Sequence, residues 1–433
     1  MAVEVTCVRA AHQSNWGSPQ RMRILLLTTH FPPELTGNAP LLAELCDDLA
    51  ARGHAVEVLA GPAEHNVTDL SARYRRLGIC RERIGAVPVT RINGLPIRGA
   101  WPRRLMVLAW FPFAALWVGL AGTRCDIILC PSPPLWLGLT ARLLGWARRI
   151  PYVYVVQDLW PDAPIRLGLV TNRAVVRILR AIEQVVYRGA SRIITIMPAM
   201  TRRLSELGVP REKMEEIPNW VDVGFFATPA APAEPSFRTR LGLEPDDVLV
   251  LYSGNMGRSH PLTLVVQAAA RLRERENLKF ALIGAGAGLA PAKAEAEAAH
   301  LSSIRFLPFQ PRAALPDVLA GAGIAVVTQL SGMGAFSLPS RMYMFMAAGL
   351  PIIGSFDADS GAAELLASAQ CGIQVNPNEP DWLAAAIARL ADDLGLRRRL
   401  GEAGREYVLR CCDRRMAGTS YERVLLAARE REA

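Results

Sequence analysis

The sequence SLPSRMYMFMAAGLPIIGS, at residues 337–355, decides the fold class of this chain. Pro339 and Ser340 precede an apolar helical run, and we expect the serine to cap that helix. Gly349 suits a left-handed helix end, Pro351 prevents a restart, and a short buried strand follows. A loop, a helix start and a strand in this order bind an anion in some proteins and only connect two elements in others.

Outward from this stretch, buried strands alternate with helices along the whole chain. We expect strands at 23–27, 55–59, 126–130, 151–156 and 192–196 in the first half, and at 248–253, 279–283, 304–307 and 324–328 in the second half. Short apolar runs separated by helices are typical of parallel sheets in α/β proteins. A chain of 433 residues is long for one core, so we predict two such domains.

Composition predicts where the domains begin and end. The stretch at 228–236, rich in Pro and Ala, predicts a linker between a first domain at 22–227 and a second domain at 237–405. We expect 406–433 to form a helix that returns to the first domain. Residues 1–21 differ in composition from the first domain, so they are either a poorly ordered extension or the product of an upstream start codon.

Charge and cysteine content narrow the class of partner. The net charge is +9, and the first 150 residues contain 17 arginines against 10 acidic residues. A concentrated basic surface suits a membrane face, a nucleic acid or a phosphorylated substrate. No basic run is interleaved with aromatic residues, so we rank nucleic acid last. The eight cysteines lack metal-ligand spacing and are typical of buried thiols in a reducing compartment.

An apolar run of 17 residues at 105–121 follows an arginine-rich segment at 70–104. The run is shorter than the roughly 20 residues that a membrane-spanning helix needs. We predict an element that lies in the membrane surface, with aromatic rings among the lipid headgroups and arginines on anionic phosphates. A core helix is the alternative. The aromatic residues are Trp110, Phe111, Phe113 and Trp117.

Candidate ligand-binding residues follow the predicted strands, where open α/β sheets bind ligands. Glycines there allow close backbone approach, and Asp158 serves either as an acid/base or hydroxyl-binding group or as a helix cap. The glycine run at 284–288 superficially resembles a dinucleotide fingerprint, but no acidic residue is placed to bind a ribose, so we do not favour an NAD enzyme. The candidates are Gly37, Asp158, Gly254, Asn255, Gly257 and Gly284.

Five segments in this order resemble the retaining glycosyltransferases of family 4, and most of all the bacterial exopolysaccharide, colanic-acid-type and fucosamine-type members. The resemblance implies the GT-B fold, an α/β architecture of two Rossmann-like, doubly wound parallel-sheet domains that face each other across a cleft. The matching segments are His30–Glu34 with Gly37, Gln157–Pro161, Ile217–Asp222, Tyr252–Gly257 and Leu338–Pro351.

The resemblance also implies a reaction. A sugar would pass from a nucleotide-sugar donor, with its anomeric configuration kept, to a polyprenyl-diphosphate-linked or oligosaccharide acceptor at the inner face of the cytoplasmic membrane. The protein would be cytoplasmic and peripheral on that membrane, and it would need no cofactor. No Asp-x-Asp motif stands out, and such enzymes are usually metal-independent. The rival function is a catalytically silent sugar- or lipid-binding subunit of a polysaccharide assembly complex.

Residue roles follow from the resemblance. Gly37 would let the first-domain loop approach the donor phosphates, and Asp158 would face the transferred sugar or the acceptor hydroxyl. Arg258 or His260 would neutralise the diphosphate, because charge develops on that leaving group. The segment Pro339–Arg341 would hold the phosphates and the sugar.

The chain departs from the family on the helix after this segment. Many relatives carry a glutamate that binds the nucleotide ribose where Met344 stands, and Phe336 occupies the position of an earlier glutamate. A thioether accepts hydrogen bonds from ribose hydroxyls poorly. The phosphate-binding lysine of the family is also missing, with Ser259 nearest. Either this branch binds the donor differently, or activity has been lost.

Overall fold

The computed structural model describes residues 21–34, 38–63, 78–94, 101–122, 124–227, 235–334 and 336–430, and only the backbone of 101–109. Contacts divide the chain into two compact units. The first unit holds the described residues up to Pro218 together with those from Arg415 onward, and the second holds Asn219–Arg414.

The first unit is built on an eight-stranded sheet in the order β3-β4-β2-β1-β5-β6-β7-β8. Neighbouring strands are parallel except β3 and β4, which form an antiparallel pair at one edge. The order reverses between β1 and β5, which for right-handed connections places helices on both faces. The strands are β1 Arg23–Thr28, β2 Ala55–Ala60, β3 Gly78–Ile84, β4 Val87–Asn93, β5 Ile127–Pro131, β6 Tyr152–Val156, β7 Arg192–Thr195 and β8 Met214–Glu216.

Helices connect these strands. In α1 the predicted apolar face of Leu42, Leu45 and Leu49 is buried, and Gly53 (φ +94°) follows the helix end. The helix α2 contains the predicted apolar run and packs beside α3. The helices are α1 Ala39–Ala51, α2 Trp101–Ala121, α3 Leu135–Arg148, α4 Asp162–Arg166, α5 Arg173–Gly189 and α6 Pro198–Glu206.

The hairpin of β3 and β4 lies where the sequence predicted only a basic surface. Its most informative residue is Arg91, which is 0% exposed, donates from Nε to Glu82 Oε1 (2.9 Å) and donates from Nη1 to Gly61 O (3.0 Å). Arg91 therefore does not belong to the basic surface, because a buried guanidinium with these partners is already neutralised. The remainder of the arginine-rich segment, at 70–77 and 95–100, lies outside the described residues.

The second unit is built on a six-stranded parallel sheet in the order β11-β10-β9-β12-β13-β14. The order reverses once, between β9 and β12. Most of the buried core lies between this sheet and its helices, around Val250, Leu282 and Ile387. The strands are β9 Val248–Ser253, β10 Leu278–Ile283, β11 Ile304–Leu307, β12 Ile324–Thr328, β13 Ile352–Ser355 and β14 Gly372–Val375.

The helices of the second unit complete the predicted α/β pattern, so both predicted domains are confirmed as parallel-sheet α/β units. All ten strands expected from the sequence are present, while β3, β4, β8 and β14 were not predicted. The helices are α7 Val223–Ala227, α8 Phe237–Leu241, α9 Thr263–Arg271, α10 Leu289–Ala298, α11 Leu315–Ala320, α12 Arg341–Ala347, α13 Gly361–Ala369, α14 Pro380–Asp392 and α15 Leu394–Cys411.

The stretch at 337–355 folds largely as the sequence predicted. The helix α12 ends before Gly349, whose φ of +71° is left-handed, and β13 follows Pro351. The prediction for Ser340 was wrong, because its side chain makes no capping hydrogen bond and its backbone is already helical.

The units divide at different residues from those that composition predicted. The contact boundary lies at Asn219 rather than at 228–236, a linker that falls mostly outside the described residues, as does the extension at 1–21 apart from Arg21. Trp220 and Val221 are buried in the second unit, where Val221 N–H donates to Cys412 O (3.0 Å). Packing rather than composition therefore sets the boundary.

The last helix, α16 Arg414–Glu430, packs into the first unit from Arg415 onward. Glu422 on α16 accepts hydrogen bonds from Arg52 Nη1 (2.9 Å) and His54 Nε2 (2.9 Å). Because His54 Nδ1 accepts from the Met22 N–H (3.3 Å), the ring proton is on Nε2, which donates the hydrogen bond to Glu422. The predicted return of the C-terminal segment thus begins at 415, later than the predicted 406.

A glycine on α15 tests the packing of the second unit. A Cβ on Gly401 would stand 1.9 Å from Gly349 O, so we expect Gly401→Ala to destabilise the unit by about 2–4 kcal/mol, measured by thermal and urea unfolding. The matched control is Gly395→Ala on the same helix, where the added Cβ meets only the side chains of Asp393 and Arg399. Equal stability losses in the two variants would contradict this account.

Candidate functional site

The carboxyl edge of the second sheet gathers most of the predicted binding residues. The strand order reverses between β9 and β12, and such a reversal opens a crevice because the loops after the two strands diverge. Gly254 and Gly257 lie in the loop after β9, and Pro339–Arg341 lies between the loop after β12 and the helix α12. The two loops are joined, because Leu330 N–H donates to Ser259 O (2.8 Å).

Glycines allow the loop after β9 to pack directly against the loop after β10. Gly254, Gly284 and Gly286 have left-handed φ values of +135°, +148° and +147°. A Cβ on Gly284 would stand 2.0 Å from Gly254 O, and a Cβ on Gly286 would stand 2.5 Å from Met256 O. Gly284, which the sequence assigned to donor binding, therefore allows one backbone to lie directly against another.

The side chain of Arg341 is held against the glycine loop. Its Nη2 donates to Asn255 O (3.0 Å), and its Cζ lies 4.7 Å from the centroid of the Tyr252 ring. A Cβ on Gly254 would stand 3.0 Å from that Cζ, so a side chain there would displace the guanidinium. Its Nη1 is buried and has no hydrogen-bond partner among the described residues. The site therefore offers a fixed cation with one donor nitrogen that an anionic oxygen would satisfy.

His260 is a neutral group at this edge. Its Nδ1 lies 2.8 Å from Thr328 O, which only accepts, so Nδ1 carries the proton. Desolvation of the ring, together with the nearby positive charge of Arg341, lowers the pKa of His260 to about 3. Of the two alternatives for neutralising the diphosphate, His260 therefore brings no positive charge at neutral pH, whereas the exposed Arg258 does.

Three polar side chains that the sequence did not single out lie at the ends of β12 and β13. Thr328 Oγ1, Gln329 Oε1 and Ser355 Oγ are buried without a hydrogen-bond partner among the described residues. Gln329 is nevertheless held in place, since its Nε2 donates to Ser337 O (3.0 Å). Buried polar atoms of this kind are normally satisfied by a ligand or by water. A polar residue ending an apolar strand was the signal that could have found them.

The residues at the start of α12 offer a ligand an apolar surface more than polar contacts. Pro339 is buried, Ser340 is exposed, and Met344 is half-buried on the helix. The Ser340 hydroxyl has no hydrogen-bond partner in the described part of the chain. Met344 offers no oxygen to a ribose.

The carboxyl edge of the first sheet carries Asp158, which is half-buried. Desolvation raises the pKa of Asp158 to about 6, and no described residue hydrogen-bonds its carboxylate. The neighbouring Asp162 is instead bound by Arg180 and by Arg203 (Nε to Oδ2, 3.3 Å). Since Pro161 occupies the N-cap of α4, Asp158 does not cap that helix. Asp158 thus retains the features of a group that acts on a ligand.

The loop after β1 carries a pair of ionisable side chains. His30 Nδ1 lies 2.8 Å from Glu34 Oε2, and the Glu34 carboxylate is buried. The Thr28 hydroxyl, which donates to His30 O (3.0 Å), fixes the backbone of this loop. Both residues belong to the segment His30–Glu34, which matches the family pattern in sequence. Gly37, further along the loop, lies outside the described residues.

The first unit exposes a row of apolar side chains on α2 and α3. Phe113 and Trp117 on α2 are 60% and 61% exposed, and Trp146 on α3 is 73% exposed. Trp110 is less available, since its indole N–H donates to Asn93 O (3.4 Å). Among the residues that the structure describes, no helix combines the length and the apolar character needed to cross a bilayer.

The described residues also contain no cluster of three or more His, Cys, Asp or Glu side chains placed to hold a metal ion.

Two family models match successive parts of the chain. Residues 36–220 match a glycosyl transferase 4-like domain, and residues 234–407 match glycosyl transferases group 1. The chain is 30% identical over 399 residues to the putative colanic acid biosynthesis glycosyl transferase WcaI of Escherichia coli strain K12. That match covers 91% of this chain and 97% of the relative.

Solved structures share the fold of the chain. Sucrose-phosphate synthase from Thermosynechococcus elongatus superposes with a TM-score of 0.73 at 19% identity, covering 93% of this chain and 98% of that protein. Anabaena Alr3699/HepE in complex with UDP-glucose superposes with a TM-score of 0.71 at 17% identity, covering 94% of this chain and all of that protein. At these identities the likeness establishes the fold alone, which is GT-B as the sequence predicted.

The environment of Asp158 predicts a pH-dependent stability. The pKa of Asp158 in the folded state is about 6, above the ordinary value of 3.8. Above pH 6 the folded protein therefore holds an uncompensated carboxylate, which lowers the free energy of unfolding. This penalty disappears as the carboxylate takes up a proton at lower pH. We therefore expect Asp158→Asn to be more stable than the wild type at pH 8 by on the order of 2 kcal/mol, measured by urea unfolding.

This gain should shrink towards pH 4, where both the folded and the unfolded wild type take up the proton. The matched control is Glu212→Gln, which alters an exposed carboxylate of the same unit and should give no such trend. A gain for Asp158→Asn that grows towards acid pH would contradict the assignment.

Proposed function

Since this chain belongs to the glycosyltransferases that join a 4-like domain to a group 1 domain, we propose that it transfers a sugar from a nucleotide-sugar donor to a polyprenyl-diphosphate-linked acceptor in bacterial surface polysaccharide synthesis. The proposed transfer keeps the anomeric configuration and needs no metal ion. The name of the relative WcaI supports the polysaccharide context, and the UDP-glucose bound to Alr3699/HepE supports a nucleotide-sugar donor.

One observation carries the donor side of the proposal, namely the buried and unsatisfied Nη1 of Arg341. The leaving group is a nucleoside diphosphate, so negative charge develops on phosphate oxygens as the glycosidic bond breaks. A guanidinium already fixed by Asn255 and Tyr252 stabilises that charge without further reorganisation. Arg258, exposed in the same loop, supplies a second positive charge where the sequence left Arg258 and His260 as alternatives.

The neutral His260 has a different use in this proposal. With its proton on Nδ1 and bound to Thr328 O, the ring presents Nε2 as a hydrogen-bond acceptor. Such an atom suits a sugar hydroxyl and does not suit a phosphate oxygen, which also only accepts. His260 therefore belongs beside the sugar of the donor, with Arg341 on its diphosphate.

The acceptor side rests on the exposed apolar surface of α2 and α3. The side chains of Trp110, Phe113, Trp117 and Leu120 follow helical spacing and lie on one face of α2. The helices run side by side, because Thr140 Oγ1 on α3 donates to Pro112 O (3.3 Å) and Arg148 Nη2 donates to Gly122 O (3.0 Å).

A surface with this composition suits one occupant, the face of an anionic bilayer. Exposed aromatic rings enter the headgroup layer, while Arg124 and Arg149, exposed at the C-terminal ends of these helices, meet anionic phosphates. We propose that the protein binds the cytoplasmic face of the membrane peripherally through this surface. A lipid-linked acceptor would then reach the enzyme without leaving the bilayer.

A catalytically silent subunit is the second candidate, because Met344 and Phe336 stand where relatives carry glutamates. Such a subunit would bind a nucleotide sugar but release no nucleoside diphosphate.

Arg341→Ala tests the donor site. We expect a loss of about 100-fold in kcat/KM, because a charge aimed at the leaving group is removed. The assay follows transfer from radiolabelled UDP-, GDP- and ADP-sugars to a bacterial membrane lipid extract. Arg273→Ala is the matched control, since among the described residues its exposed guanidinium bonds only to Ala270 O. Unchanged transfer by Arg341→Ala would contradict the donor assignment, and nucleotide binding without any transfer by the wild type would favour the silent subunit.

The membrane surface is tested with Phe113→Ser combined with Trp117→Ser. Removing two exposed rings should lower the partition coefficient onto vesicles that contain phosphatidylglycerol by at least about tenfold in a flotation assay. Trp382→Ser is the matched control, because Trp382 is 63% exposed on α14 of the second unit. Equal flotation of the double variant and the wild type would rule out this surface.

A further inference from the structure

Two tryptophans face each other at the carboxyl edge of the first sheet, next to Asp158. Trp136 lies in the first turn of α3, directly after β5, and Trp160 follows the neighbouring strand β6. Their ring centroids are 5.7 Å apart and the ring planes meet at 86°, an edge-to-face arrangement. Both side chains are half-buried, so neither is fully used in packing.

The segment after β6 leaves Asp158 and Trp160 accessible. Burial alternates along it, since Gln157, Leu159 and Pro161 are buried while Asp158 and Trp160 remain half-buried. These two neighbouring side chains therefore keep surface for a ligand, whereas Leu159 is used in the core.

The segment is also fixed to the neighbouring loop. The buried Ser132 hydroxyl, after β5, accepts from Gln157 N–H (3.2 Å) and donates to Asp158 O (3.3 Å). The loops after β5 and β6 are thus joined through Ser132. Together they hold an aromatic pair and a carboxylate in a preset arrangement, which is how small binding sites are built.

We propose that Trp136, Trp160 and Asp158 form the subsite that holds the acceptor sugar. One face of a pyranose is rich in C–H groups and packs on an aromatic ring, while its hydroxyls donate to a carboxylate. The side-chain carboxylate of Asp158 has no hydrogen-bond partner among the described residues, so it has the capacity to accept from sugar hydroxyls. This inference rests on the proposed function and names the residues that recognise the acceptor.

The position of α3 favours the acceptor over the donor. The helix begins beside Trp160 and carries Trp146 of the proposed membrane surface near its other end. The ten residues from Trp136 to Trp146 span about 15 Å along a helix axis. A sugar joined through a diphosphate to a lipid in the bilayer would reach over that distance. The donor diphosphate is assigned to the second unit, by Arg341.

The experiment measures acceptor and donor kinetics separately. Farnesyl-diphosphate-linked glucose, galactose and N-acetylglucosamine serve as soluble acceptors, with the nucleotide sugar that gives transfer in the wild type. We expect Trp160→Ala and Trp136→Ala each to raise the acceptor KM about tenfold. Trp160→Phe should recover most of that loss, and the donor KM and the thermal shift caused by the free nucleotide should stay as in the wild type.

Trp382→Ala is the matched control and should leave both KM values unchanged. An unchanged acceptor KM in both alanine variants would overturn the subsite while leaving the proposed function intact. A rise in the donor KM alone would overturn it as well, because the rings would then contact the donor. Absence of transfer by the wild type with every donor and acceptor would overturn the proposed function, and the subsite with it.

Discussion

Direct contact between backbones at the glycine loops is the constraint on which the second unit depends. A Cβ on Gly284 would stand 2.0 Å from Gly254 O, so the loops after β9 and β10 pack without any side chain between them. At the loop held in this way, Asn255 O accepts from Arg341 Nη2 and the Tyr252 ring lies against the guanidinium. The steric requirement for glycine and the electrostatic requirement for a fixed cation are thus met by the same few residues.

Desolvation gives neighbouring basic groups of the site different charges. Arg341 remains charged in any protein environment, whereas the imidazole of His260 loses its proton because it is desolvated beside that cation. The chain therefore places a permanent charge and a hydrogen-bond acceptor next to each other at one sheet edge. In the first unit, desolvation raises the pKa of Asp158, so its carboxyl group is protonated more easily.

The sequence was sufficient for features that depend on local geometry. Apolar runs gave all ten expected strands, and the left-handed Gly349 followed from the helix stop before Pro351. It was insufficient where partners are distant in the chain. Arg91 resembles a surface arginine until Glu82 and Gly61 are brought to it, and the apolar alternation of its hairpin is limited to Val87 and Val89. The role of Ser340 as a cap also failed, since a favourable residue type does not ensure the required backbone angles.

The candidate site followed the same division. Glycines and a strand-end aspartate were visible as residue types at expected positions, while the pairing of Trp136 with Trp160 required the register of two strands. Thr328 and Ser355 carry a sequence signal as polar residues that end apolar strands, but that their hydroxyls are unsatisfied follows only from their burial in the structure.

The path of the last helix has a consequence for synthesis of the chain. Tyr421, Leu425 and Ala428 on α16 are fully buried in the first unit, although the whole second unit separates them in the chain from the rest of the first unit. A ribosome releases about 5–20 residues per second, so the first unit stays incomplete for many seconds while the second unit is being made. During that interval the groove that α16 fills stays uncovered on the nascent polypeptide, so the apolar core of the first unit cannot be closed until α16 has been made.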